Sequence, residues 1–143
     1  MKKILFIMFF AVFFSVLAVI ASNNGNDFTN ALKNCESYSE SGNVKTEGIS
    51  VQSKKQIVGW QNNKCVYKET VNFAGMNTTI TCKLNKDQIS ELTSVMSAYN
   101  LLNKYSEDDV DTSSLESVKN NPVVKAWNKY LNDSSICTIE VNE

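Results

Sequence analysis

The chain has 143 residues, 43% of them hydrophobic, with fourteen lysines set against fifteen acids and neither arginine nor histidine. Without histidine there is no usual general base near neutral pH, which excludes Ser-His-Asp triads, Cys-His dyads and histidine metal sites. Without arginine there is no bidentate capture of phosphate or carboxylate, and a net charge of −1 gives no concentrated basic surface for nucleic acid or an anionic membrane.

The chain opens with Lys2 and Lys3, followed by an apolar run from Ile4 to Ala21 broken only by Ser15. Val19 and Ala21 place small residues near −3 and −1 of a cut before Ser22, the layout of a secretory signal peptide over residues 1–21. The competing reading is an uncleaved anchor, since about 18 apolar residues just span a bilayer. Cleavage leaves Ser22 to Glu143, about 122 residues, with twelve lysines against fifteen acids and a net charge near −3. That is one domain, 22–143, expected to be soluble and free of the membrane once cut. The Lys-led signal and the wealth of Lys and Asn point to a bacterial source, secreted or periplasmic.

Asp27 is a candidate cap for a short helix over Phe28–Asn34. Cys35 to Glu40 alternates like a strand, Gly42-Asn43 reads as a turn, and Val44 to Gln52 is weakly strand-like. Ser53-Lys54-Lys55 suggests a bulge or an edge. The clearest unit is Gln56 to Leu84. Gln56–Trp60 and Lys64–Phe73 form strands around an Asn62-Asn63 turn, because Asn tolerates the positive φ of a type I′ turn. That register pairs Trp60 with Cys65 and Val58 with Tyr67, giving an inward face of Val58, Trp60, Cys65, Tyr67, Val71 and Phe73. Ala74-Gly75 turns into a third strand, Met76–Leu84, with Met76, Thr78, Ile80, Cys82 and Leu84 inward.

Asn85 with Gln88 three residues later makes a capping box. Ile89, Leu92, Val95, Met96, Tyr99 and Leu102 then recur at helical spacing to Asn103. Tyr105 to Ser114 reads as an acidic loop and Leu115–Asn120 as a turn or two of helix. Asn121-Pro122 starts a helix to Asn132, with Val123, Val124, Trp127, Tyr130 and Leu131 as its apolar stripe. Ile136 to Val141 alternates as a closing strand. The sum is an α+β domain: a mostly antiparallel sheet of four to five strands with two helices packed on one face.

Cys35, Cys65, Cys82 and Cys137 are even in number and spaced by 30, 17 and 55 residues. In an exported chain they read as two disulfides, and the lack of close pairs disfavours a zinc ribbon or redox motif. A tight Ala74-Gly75 turn sets Cys82 opposite Tyr67, diagonal to Cys65, whereas a looser turn over Asn72 to Gly75 sets the two cysteines directly opposite. The preferred pairing is Cys35–Cys65 with Cys82–Cys137, which ties each end of the chain to the central sheet, ahead of Cys65–Cys82 with Cys35–Cys137.

No residue earns a catalytic, cofactor or metal assignment. Glu107, Asp108, Asp109 and Asp111 form the dense acidic cluster, which fails the EF-hand pattern because Ser114 stands where Gly is required and Asn120 where Glu is required. They stand as a possible interaction loop. Glu69 is the one acid on the inward parity of the central hairpin, at the edge of the core. Trp60, Tyr67 and Trp127 are core aromatics or pocket lining. Asn77-Thr78-Thr79 and Asn132-Asp133-Ser134 match the glycosylation acceptor, idle in a bacterial protein. The expected function is a small exported, non-enzymatic binding or interaction domain with a protein or small-molecule partner. Its alternatives are an inhibitor of an envelope hydrolase and, in another class, a carboxylate-dependent hydrolase.

Overall fold

The computed structural model describes residues 25–46, 49–105 and 120–142. The signal segment, the Glu107–Asp111 cluster and the Leu115–Asn120 reading, all but its last residue, fall outside these residues.

The chain begins with α1 (Gly25–Asn34), followed by strands β1 (Tyr38–Thr46), β2 (Ile49–Gln61), β3 (Lys64–Phe73) and β4 (Met76–Leu84). Helix α2 (Lys86–Tyr105), helix α3 (Pro122–Leu131) and strand β5 (Cys137–Asn142) complete it. The five strands form one antiparallel sheet in sequence order, β1 to β5. The fold is α+β, and α1 joins the two expected helices against the same core. Phe28 of α1 and Trp127 of α3 both set their rings against Tyr67 of β3, with centroids 5.9 and 5.1 Å away. Ile89 and Leu92 of α2 are buried in that cluster too.

Local chemistry accounts for the boundaries. Asn62, Asn63, Ala74 and Gly75 all hold positive φ, as two-residue hairpin turns require. Asn85 and Gln88 exchange reciprocal bonds of 2.8 and 2.9 Å, a complete capping box. Asn121 Oδ1 accepts from the Val123 and Val124 amides, with Pro122 at the first helical position.

The disulfides are Cys35–Cys65 and Cys82–Cys137, the preferred of the two pairings weighed from the sequence. Cys82 and Cys137 are register partners on β4 and β5. Cys35 is not in a strand. It follows α1 at φ 52°, with Cys35 N–H bonded to Leu32 O and Glu36 N–H to Ala31 O. That is a Schellman cap with cysteine in the usual glycine position, and the bridge to Cys65 holds it there.

Three further expectations are corrected. Asp27 lies inside the first turn of α1, where its charge favours the helix N-terminus. Gly42-Asn43 lies mid-strand in β1, paired with Ser53 and Gln52. The bulge is at Val58-Gly59, not at Ser53–Lys55: Ile57 opposes Tyr67, Trp60 opposes Cys65, and one extra residue sits between them. Gly59 takes φ 117° to absorb it, a conformation that L side chains avoid. Val58 is therefore thrown outward, and the parity of β2 before it is the reverse of that expected. Val51, Ser53, Lys55 and Ile57 face the core.

Candidate functional site

The reversed parity creates a polar row across an otherwise apolar face. Glu40, Lys55 and Glu69 are register partners on β1, β2 and β3. Lys55 is 2% exposed and Glu69 4%. Tyr67 donates its hydroxyl to Glu69 Oε2 at 2.9 Å. Burial pushes the Glu69 carboxyl up to about 7, against the opposing pull of the Lys55 charge and the Tyr67 bond. Burial also pushes Lys55 down and Tyr67 well up. Glu69 thus sits in the core, not at its edge. Among the described residues Glu69 Oε1, Thr78 Oγ1 and Trp127 Nε1 have no hydrogen-bond partner.

Trp60, which sequence parity placed in the core, is 43% exposed. The bulge sets it on the helix-facing side of the sheet at the strand's end, over a groove of about 600 Å³ lined by Lys33, Lys86, Ile89, Ser90, Thr93, Ser94 and Ser97. α1 supplies Lys33 from its last turn and α2 supplies the rest of the wall. Ser90, Thr93, Ser94 and Ser97 are spaced i, i+3, i+4 and i+7, one helix face, about 10 Å long. The Cys35–Cys65 bridge fixes the two sides, since Cys65 is Trp60's register partner and Cys35 directly follows α1.

A second groove of about 340 Å³ lies on the other side of α2's first turns, lined by Asn85, Asp87, Gln88, Glu91, Lys129, Tyr130, Asp133 and Ile136. Its polar groups are engaged with one another. Glu91 accepts from Tyr130 and from Lys129, the latter at 2.9 Å, and both bonds hold its carboxyl below the ordinary value. Asp133 accepts from the Ser135 hydroxyl and amide. In the Trp60 groove, by contrast, Lys33 and Lys86 make no ion pair among the described residues. Ser90, Ser94 and Ser97 likewise make no side-chain hydrogen bond there. Lys86 stands at the first position of α2, where a cation opposes the helix dipole. That placement does nothing for the helix.

The chain matches no family model, no curated protein and no solved structure. Among the described residues no three His, Cys, Asp or Glu side chains converge to hold a metal, and no helix is long and apolar enough to cross a membrane. Of the expected pocket aromatics, Trp60 alone reaches an opening, while Tyr67 and Trp127 are core. Sequence reasoning missed Lys33, Lys86 and the serine face, because their grouping depends on how α1 and α2 sit beside Trp60, which no local pattern specifies. The isolated Gly59 within a strand pattern was the available signal for the bulge.

Proposed function

We propose that the protein is an exported, disulfide-stabilised binding domain, non-enzymatic, whose ligand enters the Trp60 groove. The observation that carries this is the pairing of a half-exposed tryptophan with two lysines and three hydroxyls that have nothing to bond within the described protein. Interfaces favour tryptophan because it offers a large rigid contact at small entropic cost. A bulge beside it is a common way to re-aim a functional side chain. Export is supported by the leading signal pattern and by two disulfides, which persist in oxidising compartments.

The hydrolase alternative draws support from the raised Glu69 carboxyl, since perturbed acids mark active sites. Against it, Glu69 is almost wholly buried and neither groove reaches it. The acid in its row, Glu40, stands beyond Lys55 on β1, two strand spacings or about 10 Å of backbone away. A carboxylate pair working on a glycoside needs both groups at one opening.

The test is affinity capture from envelope and culture-medium extracts with two baits, wild type and Trp60→Ala, the eluates read by mass spectrometry. A component retained by the wild type alone is the expected result. Equal retention by both baits, or turnover of a glycan or peptide panel that is lost in Glu69→Gln, overturns it.

A further inference from the structure

Taking the Trp60 groove as the binding site, we infer that its ligand is an acidic saccharide: a hydroxyl-rich ring that stacks on Trp60, carrying a carboxylate or phosphate for Lys33 and Lys86. This inference rests on the preceding functional reading and adds the chemistry of the ligand.

Each wall contributes a different demand. Trp60 is 43% exposed and makes no ring contact with the described aromatics, which leaves apolar surface for a flat partner. Ser90, Ser94 and Ser97 each offer one donor and two acceptor lone pairs, which suits a ligand whose own groups are both donors and acceptors. A polyol is such a ligand. Lys33 and Lys86 face the groove with no acid among its lining residues, so the site carries an uncompensated positive charge. Lysine is a point charge without the forked geometry of arginine, so it accepts carboxylate and phosphate alike.

A peptide fits less well. A helix laid in a groove needs a run of apolar anchors, and an extended peptide adding to the sheet needs an exposed edge strand. Here the only large apolar lining groups are Trp60 and Ile89, and the stretch of β2 that lacks a β1 partner, Val58 to Gln61, is only four residues long.

The experiment is a fluorescence titration on the Trp127→Phe background, which leaves Trp60 as the sole tryptophan. Trp127 is buried and its Nε1 bonds to no described residue, so phenylalanine forfeits no hydrogen bond. Circular dichroism confirms the fold of every variant. The probes are an oligogalacturonate, a phosphomannan oligosaccharide, a neutral oligogalactoside of matched length and a polyglutamate peptide. The galacturonate, the phosphomannan or both should shift Trp60 emission saturably, and which one does so assigns the acid. The neutral sugar should bind about tenfold more weakly, the order expected of two exposed charge contacts. Lys33→Gln with Lys86→Gln should erase that preference while leaving neutral binding in place. Equal binding of neutral and acidic sugars, polyglutamate binding as tightly as the acidic sugars, or no response to any saccharide each overturns the inference. In all three cases Trp60-dependent capture from extract still decides the broader reading separately.

Discussion

The Glu40–Lys55–Glu69 row and the Trp60 groove lie on the same side of one sheet and owe their positions to the same bulge, yet they are opposites. The inner part of the row is sealed: Lys55 and Glu69 are buried, with Phe28 over Lys55 at 5.5 Å from ring centroid to Nζ, while Glu40 at the β1 end is half-buried. The groove is open, and its two lysines and three serine hydroxyls are exposed, with no side-chain partner among the described residues. A perturbed ionisable group therefore does not by itself mark a working site. The row holds perturbed groups, Lys55 and Glu69, but neither groove opens onto it. The groove's value lies in polar groups left unused.

Substitutions in the two regions test that contrast. Removing the Cys35–Cys65 bridge, with both residues changed to Ser, touches both regions. It should cost about 3–4 kcal/mol in urea unfolding through its 30-residue loop, and it should weaken groove binding as well. Glu69→Ala strips Tyr67 of its acceptor and Lys55 of a neighbouring counter-charge. Breaking a buried polar pair in this way costs about 3 kcal/mol, and ligand affinity should not change. If Glu69→Ala abolishes binding, the sealed and open regions are not separate.

The third change is in pH. Glu69 has an ordinary value of 4.5 and is raised to about 7 in the fold. Between those values the folded protein binds more protons than the unfolded chain, so this group's contribution is fully present below pH 4.5 and is lost as pH rises through 7. Wild type should lose roughly 2–3 kcal/mol relative to Glu69→Gln on going from pH 4.5 to pH 8. Parallel urea midpoints for the two proteins across that range would refute the claim. The smallest stability effect is expected in the groove. Trp60→Ala should cost about 1 kcal/mol or less, because the side chain is far from fully buried, and Lys86→Gln should stabilise α2 by about 0.3 kcal/mol by relieving the dipole clash. Both should impair binding. A groove variant that unfolds the protein would mean Trp60 is structural after all.

Much of this was legible in the chain. The capping box at Asn85, the Asn121-Pro122 helix start and both hairpin turns follow from residue chemistry within short windows, whereas the disulfide pairing was a preference between two connectivities. The register of β2 did not follow, because its inward residues include Ser53 and Lys55 and so look like an outer face. Alternation reads burial only where buried residues are apolar, and the single-residue slip at Gly59 reversed every assignment before it. The groove was missed for a different reason. Its parts come from α1, β2 and α2, and nothing local in the sequence says that the two helices bring Lys33, Lys86 and the serines beside the inward-facing Trp60.

The two bridges join cysteines that are neighbours along the chain, so their loops neither nest nor cross. A polypeptide that emerges N-terminus first offers Cys35 only one partner, Cys65, until Cys82 appears. Simple pairing in order of emergence therefore reaches the native set without reshuffling, which neither other connectivity allows. The same linkage leaves Val66 to Thr81 outside both loops. One cut inside either loop keeps the molecule in one piece, whereas one cut at the exposed Ala74-Gly75 turn divides it into two chains with no covalent bond between them.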